Sequence, residues 1–145
     1  MNAQELMNAM ALNGVETKVI KKVAPAGVYT VKCTGNTVST AQDGELVFNF
    51  FYEIQGLEGY KNIPHRLGTK IYGTDSFFDQ HMSYLADQWG LKDVTSAEVL
   101  QMMIDDKKEF KIAWIPSKNE KFDGLNATAR PADIKAAEIL MAIKA

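Results

Sequence analysis

The sequence predicts a mainly β domain with added helices, in which five strands close into a Greek-key barrel. Apolar residues alternate with period two in several separate runs, as they do in strands that bury one face. A helical period replaces this alternation between the third and fourth barrel strands, and again at the C-terminus. Short turns that contain glycine separate the early runs at the spacing of hairpins.

Size and composition favour one domain. A chain of 145 residues, 46% of them hydrophobic, is long enough to form its own core. We divide it into an N-terminal arm or short helix at 1–16, a barrel domain at 17–130, and a helix of the same domain at 131–145. No apolar run approaches the roughly 18 residues that cross a bilayer, and the N-terminus does not resemble a signal peptide. We therefore expect a cytoplasmic protein without membrane contact.

The first half of the chain is predicted to consist of strands joined by turns. Residues 17–23 are a candidate short strand, and residues 28–39 are a long one in which Gly35 marks a bulge or sharp bend. An Asp-Gly turn then leads into the strand Leu46–Ile54, and a glycine-containing turn leads into the strand at 60–67. The segments 28–39, 46–54 and 60–67 supply the first three strands of the barrel.

The strand Leu46–Ile54 (LVFNFFYEI) carries aromatic residues on both faces. Because side chains alternate along a strand, Phe48, Phe50 and Tyr52 share one side and are predicted to be interior. Phe51 falls on the opposite side and is predicted to point outward. A sheet with an aromatic residue on its outer face is not a plain solvated surface.

The period changes after residue 73. A Thr-Asp-Ser cluster at 74–76 predicts an N-cap, and Gly90 predicts the end of the helix that follows. Thr95 or Ser96 is expected to cap a second helix. Apolar residues of the first helix recur at i, i+3 and i+4 intervals and comprise Phe77, Phe78, His81, Met82, Leu85 and Trp89.

Strand character returns at residues 109–115 and 122–129, with a polar, basic loop between them. Arg130-Pro131 opens the C-terminal helix, because proline is favoured at the first helical position. The resulting order is three strands, helices and two strands. This is the plan of the OB-fold, a five-stranded, partly open Greek-key barrel. An α+β sheet with helices on one face is the alternative.

Motifs of catalysis and metal binding are absent from the sequence. His65 and His81 are far apart along the chain and have no Cys or acid pair at metal-ligand spacing. There is no nucleophile elbow, phosphate-binding glycine loop or zinc-protease motif. The single cysteine, Cys33, lies on the apolar side of its strand and is expected to be a buried thiol. We therefore expect no enzyme, no metal site and no cofactor.

Charge is unevenly distributed along the chain. The net charge of −2 argues against binding nucleic acid through overall positive charge. Residues 1–72 carry seven Lys/Arg against six Asp/Glu, and residues 109–145 carry six against five. Residues 73–108, the helical insert, carry three against seven. Local positive charge on the strands would have to attract an anionic ligand.

Aromatic and basic residues are interleaved in the predicted strands. Single-stranded nucleic acid is held by stacking, at roughly 1–3 kcal/mol per base, and by cations along its backbone. Most rings of such a domain are core, and those predicted to be core are Phe48, Phe50, Tyr52, Phe77 and Phe110. The stacking candidates are Phe51, Tyr60, Tyr72 and Trp114, and the phosphate-binding candidates are Lys32, Lys61, Arg66, Lys70, Lys111, Lys118 and Lys121.

A further pattern of positions extends over about residues 23–131. The positions are Gly27-x-Tyr29, the strand Leu46–Ile54, Gly59-Tyr-Lys-Asn-Ile63, Trp89-Gly-Leu91, Lys107-Lys-Glu-Phe-Lys111 and a closing strand at 122–127. In these positions the chain resembles small phage-encoded single-stranded-DNA-binding proteins of the OB-fold type, from the replication and recombination modules of tailed phages. The resemblance implies cooperative or dimeric coating of single-stranded DNA, without catalysis, in the cytoplasm of the host cell.

The sequence supports two functional hypotheses from different classes. The first is non-catalytic, largely sequence-independent binding of single-stranded DNA in phage replication or recombination. The second is a phage interaction module that binds a host or phage protein, such as a replication or recombination protein, through its helices. The chain carries the apolar helical segment AEILMAIKA where many such proteins carry an acidic tail, so we do not expect recruitment of partners through a tail. We expect this helix to pack on its own barrel, and packing on a second subunit, as a homodimer, is the alternative.

Overall fold

The computed structural model describes residues 1–17, 22–117 and 124–144. Seven strands and four helices lie in this part of the chain. In chain order they are α1 (Ala3–Leu12), β1 (Gly27–Thr40), β2 (Leu46–Ile54), β3 (Ile63–Gly68), β4 (Ile71–Tyr72), β5 (Asp75–Ser76), α2 (Phe77–Gln88), α3 (Ser96–Ile104), β6 (Phe110–Pro116), β7 (Leu125–Thr128) and α4 (Pro131–Lys144).

Five of the strands form one antiparallel sheet in the order β3-β2-β1-β6-β7. The two edge strands, β3 and β7, run in the same direction, because each is two antiparallel pairings away from β1. They also contact each other, so the sheet curls into a nearly closed barrel. With helices between the third and fourth barrel strands, the predicted fold class is confirmed and is consistent with an OB-fold-like domain.

A bulge in β1 lets this strand serve two neighbours. Cys33 pairs with Tyr52 and Gly35 pairs with Phe51, so Thr34 is an extra residue on β1. The bulge lies where the sequence predicted it. The N-terminal part of β1, up to Val31, pairs with β6, whereas β2 pairs on both sides of the bulge.

The core lies inside the barrel and beneath α2 and α3. Phe50 and Tyr52 are fully buried, and Phe48 is half-buried with its ring 4.7 Å from that of Phe78. The interior face predicted for β2 is therefore confirmed. Phe77 was predicted to be core, and this is wrong: it is 55% exposed, because α2 begins there and the next residue, Phe78, packs inward.

The helix boundaries follow the predicted capping residues. Ser76 caps α2 and Thr95 caps α3, each accepting a hydrogen bond from a backbone N–H three residues later. Pro131 is the first residue of α4. Gly90 follows α2 with a φ of 67°, a left-handed conformation that glycine adopts without strain.

The remaining segments add detail that the sequence did not predict. The hairpin β4–β5 was missed, because two-residue strands are too short to show an alternation. The predicted strand at 17–23 falls largely outside the described residues, although Lys22 forms a bridge with Tyr60. The last strand was predicted at 122–129, of which residues 122 and 123 are outside the described residues.

α4 packs on the outside of the barrel against β1 and β6. Ala137 is buried there, and the Met141 sulfur accepts a hydrogen bond from the Val28 backbone N–H at 3.2 Å. α1 has no buried residues. Within the described ranges, no helix is both long enough and apolar enough to span a bilayer.

Candidate nucleic-acid interface

The outer face of β1, β2 and β3 forms a platform centred on Phe51. Directly paired residues of antiparallel strands point to the same side, and Phe51 lies between Gly35 on β1 and Pro64 on β3. A Cβ placed on Gly35 would lie 3.6 Å from the Phe51 ring, an ordinary van der Waals contact, so the ring lies directly beside the glycine. Phe51 is 39% exposed, which is high for an aromatic residue in mid-strand. Its ring therefore has a face accessible to a base.

Two of the predicted cations lie on the same outer face. Lys32 on β1 is paired with Glu53 on β2, so an acidic residue is its direct cross-strand neighbour. Arg66 on β3 is exposed and is paired with the neutral Asn49. Arg66 is therefore the stronger phosphate-binding candidate of this face.

A groove of about 630 Å³ opens beyond the edge of β3, between β3, β7 and α2. It lies at the seam of the barrel, since the hydrogen-bonded ladders of the described strands do not join β3 to β7. Arg66 and Arg130 line it together with the aromatic side chains Phe77 and Tyr84. The described residues that line the groove include no Asp or Glu. The groove thus combines two cations with rings, in a chain whose net charge is negative.

Two histidines and a tyrosine form a hydrogen-bonded network at the groove. The Tyr52 hydroxyl lies 3.0 Å from Nδ1 of His65 and 3.2 Å from Nε2 of His81. The two imidazole ring centroids are 4.6 Å apart. Residues that are far apart in the sequence are therefore in contact, because His65 points inward from β3 and His81 points inward from α2. We call these three side chains the Tyr–His network.

Burial keeps the Tyr–His network uncharged. It lowers the pKa of His65 from 6.5 to about 4. It also lowers the pKa of His81 well below 6.5, and the neighbouring His65 adds to this effect. Burial raises the pKa of Tyr52 well above 10. At pH 7 all three groups are neutral and act as hydrogen-bonding groups. Among the described residues, no three His, Cys, Asp or Glu side chains are grouped so as to hold a metal ion.

A second aromatic patch joins the groove at the start of α2. The β4–β5 hairpin brings Tyr72 next to Phe77, with ring centroids 5.4 Å apart. Both rings are more than half exposed, and the Lys70 ammonium lies 5.6 Å from the centre of the Tyr72 ring. Since Phe77 also lines the groove, this patch and the groove are continuous. Two predicted residues, Lys70 and Tyr72, are thus brought to the site.

Other predicted residues are not brought to this surface. Trp114 is buried and its indole N–H donates to the Ala24 carbonyl at 3.1 Å, so its ring offers no free face for stacking. Lys111 is exposed on β6, where it forms an ion pair of 3.6 Å with Glu138 of α4. Lys118 and Lys121 lie outside the described residues.

Tyr60 and Lys61 occupy the segment before β3. Tyr60 is half-buried and packs against the core, so only part of its ring is accessible. Lys61 is exposed, and its backbone N–H donates to the Lys22 carbonyl. Of this pair, Lys61 is the residue whose side chain is free to meet a phosphate.

The sequence did not identify Arg130, Tyr84 or the two histidines as site residues. Arg130 was recognised only as the residue before a helix-starting proline. In an OB-like barrel the fifth strand closes beside the third, so the residue that follows β7 must lie near β3. That adjacency was the available signal for Arg130.

Comparison with known proteins does not assign the chain. No known family matches it, and no curated protein shows significant similarity to it. The geometry of the groove and the platform is therefore the basis for the functional argument.

Proposed function

We propose that this protein binds single-stranded DNA without catalysis and largely without regard to sequence. The groove between β3, β7 and α2 carries the proposal, because its described lining has two arginines, two aromatic rings and no carboxylate. The exposed Phe51 ring lies on the other side of β3 from this groove, next to Pro64. A strand that crosses β3 would therefore meet rings and cations on both sides.

Single-stranded DNA suits this arrangement better than a duplex. Accessible ring faces gain binding energy from unstacked bases, which a duplex keeps stacked and paired. Arginine side chains at the groove can bind the phosphates in bidentate fashion. The resemblance to phage single-stranded-DNA-binding proteins supports a role in phage replication or recombination, and implies cooperative or dimeric coating of the strand.

Titration with oligo-dT tests the proposal directly. We expect micromolar or tighter binding at low salt, measured by quenching of protein fluorescence. Affinity should fall as salt rises, because each phosphate contact on a single strand contributes about −0.7 to the slope of log K against log salt. A duplex of equal length should bind more weakly. Absence of any binding to oligo-dT at low salt would overturn the proposal.

The exposed side of α4 supports a second candidate function, an interaction module that binds a host or phage protein. Ile139, Leu140 and Ile143 on this helix are each more than half exposed, and such apolar surface marks interaction sites. Replacing Leu140 and Ile143 with serine separates the two functions. The double variant should keep its affinity for oligo-dT if DNA binding is the function, and should lose self-association or partner binding if α4 is the functional surface.

A further inference from the structure

One nitrogen of each imidazole in the Tyr–His network is left facing the groove. The Tyr52 hydroxyl occupies Nδ1 of His65 and Nε2 of His81. Nε2 of His65 and Nδ1 of His81 have no partner among the described residues, yet no buried side-chain nitrogen or oxygen there lacks one. These two nitrogens are therefore not sealed in the core. Both residues line the groove, so the accessible surface of the two nitrogens lies there, although His81 as a whole is only 3% exposed.

The tyrosine hydroxyl couples the protonation of the two rings. A hydroxyl has one proton to donate, so it donates to one imidazole and accepts an N–H from the other. If it donates to His65, then His65 carries its proton on Nε2, and His81 donates its own Nε2–H. If it donates to His81, both rings carry the proton on Nδ1. The two neutral histidines must therefore share the same tautomer.

Either arrangement presents one donor and one acceptor to the groove. In the first, His65 offers an N–H and His81 offers a lone pair. In the second, the roles are exchanged without moving a ring. The pair is thus a donor–acceptor edge whose order can be reversed by moving protons alone.

We propose that the groove holds one unstacked nucleobase of the bound strand, with its Watson–Crick edge on Nε2 of His65 and Nδ1 of His81. This inference rests on the proposed single-stranded-DNA binding. Every base presents a neighbouring donor and acceptor on that edge, but adenine and cytosine order them differently from guanine and thymine. Because the two histidine nitrogens can exchange their donor and acceptor roles, they can bind either order of donor and acceptor on a base. The contact therefore adds affinity without selecting a sequence.

The surroundings of the two nitrogens fit a nucleotide. Phe77 and Tyr84 line the same groove and provide ring surfaces for a base. Arg66 and Arg130 are exposed at the groove and can neutralise the phosphates on either side of that base. Gln80 is a further polar lining residue that can bond a base edge.

Nitrogen NMR of the full chain tests the coupling. The chain contains two histidines, so ¹⁵N-histidine labelling gives four imidazole nitrogen signals. We expect both rings to show the same tautomer, free and bound. Saturation with oligo-dT should shift Nε2 of His65 and Nδ1 of His81, whereas an abasic strand of equal length should leave them in place. Opposite tautomers in the free protein, or unchanged shifts with bound oligo-dT, would overturn the inference.

Binding by His65→Phe separates this inference from the proposed function. Loss of one neutral hydrogen bond should weaken binding to oligo-dT, oligo-dA and oligo-dC by about threefold to tenfold each. Affinity for the abasic strand should not change. If His65→Phe loses as much affinity for the abasic strand as for the other strands, base binding by the histidines is refuted. It is refuted also if the variant loses no affinity for any strand that the unmodified chain binds. Neither result contradicts the proposed DNA binding. Failure of the unmodified chain to bind any strand refutes both. If His65→Phe does not fold, the NMR measurement decides.

Discussion

The packing around Phe51 leaves its ring available for binding. Its paired residue on β1 is Gly35, which has no side chain to cover the ring, and its paired residue on β3 is Pro64. The ring therefore remains 39% exposed in the middle of a central strand. An apolar surface kept open at this position costs hydrophobic burial, which base stacking would recover.

Replacing Phe51 with alanine should weaken binding to oligo-dT by about fivefold to a hundredfold, since stacking contributes roughly 1–3 kcal/mol per base. The free energy of unfolding should change by less than about 1 kcal/mol, because the lost contacts are cross-strand contacts at the surface. Leu46→Ala is the matched control: Leu46 is exposed on the same strand but points to the other side. Equal effects of the two substitutions on binding would contradict a stacking role.

The Tyr–His network predicts a pH dependence of stability. The pKa of His65 is about 4 in the folded protein and 6.5 in the unfolded chain, so the unfolded chain binds more protons between these values. Stability is therefore complete above pH 6.5 and is lost as pH falls toward 4. Tyr52 and His81 contact the ring, and the charged residues that line the groove with it are Arg66, its neighbour on β3, and Arg130, with no carboxylate among the described lining residues.

Urea unfolding at pH 7.5 and pH 5 measures this effect. His65 alone should lower the free energy of unfolding by about 2 kcal/mol over that interval. His65→Phe should flatten the dependence by the same amount, and what remains belongs mainly to His81. A variant with the same pH dependence as the unmodified chain would show that burial does not perturb this histidine.

Residue positions were predictable from the sequence where alternation decides them. Phe50 and Tyr52 point inward and Phe51 outward, as period two requires. Phe77 was assigned wrongly, because helical periodicity fixes a residue's face poorly at the first position of a helix. Trp114 shares the inward parity of Phe110 on β6, so its burial was available from the alternation and should have excluded it as a stacking candidate.

At the scale of elements, α2 is the helix that positions the site. Its first turn is held by Ser76, a buried N-cap that accepts from the Asp79 backbone N–H at 3.1 Å and donates to the Asp79 carboxylate at 3.0 Å. Ser96 at the start of α3 donates to the same carboxylate at 2.7 Å. One side chain thus joins the starts of both helices, which fixes the face of α2 that carries His81.

Substituting Ser76 with alanine should lower the free energy of unfolding by about 1–2 kcal/mol, since it removes the cap and one donor to the carboxylate. Ser83→Ala, at an exposed position in the same helix, should change it by less than about 0.5 kcal/mol. Thermal or urea unfolding of both variants measures the difference. A Ser76→Ala variant as stable as Ser83→Ala would mean that α2 is held by packing alone.

The strands and helices could be predicted from local sequence patterns, but the groove could not. Strand β2 was predicted with its observed bounds, because alternating rings and glycine turns define it. The groove arises where β3 and β7 meet, and these strands are joined by tertiary closure of the barrel. The pattern of each strand alone does not indicate this contact, so His65 and Arg130 could be grouped only from the closure of an OB-like barrel and not from period or spacing.

At the scale of the whole molecule, the two sides of α2 differ in charge. Its groove side carries Phe77, His81 and Tyr84 beside two arginines. Its other side, toward α3, lines a second depression of about 370 Å³ with Asp79, Asp87 and further aspartates. The net charge of −2 is therefore distributed unevenly over the surface. This distribution would orient a single strand of DNA toward the groove and away from α3.

This polarity predicts which cations control the salt dependence of DNA binding. Replacing both Arg66 and Arg130 with alanine should make the slope of log K against log salt less steep by about 1.4, since each lost contact to a single-strand phosphate contributes about 0.7. Affinity should fall by a similar factor for oligo-dT, oligo-dA and oligo-dC, because phosphate contacts carry no sequence information.

Lys92→Ala supplies the control for charge alone. Lys92 is exposed in the segment between α2 and α3 and does not line the groove. The Lys92→Ala substitution removes one positive charge from the same protein. Its effect on the slope of log K against log salt therefore measures the contribution of net charge. If binding depended on net charge, its effect would be half that of the double arginine variant. A near-zero effect of Lys92→Ala, beside a slope reduced in the double variant, would place the DNA backbone at the seam between β3 and β7.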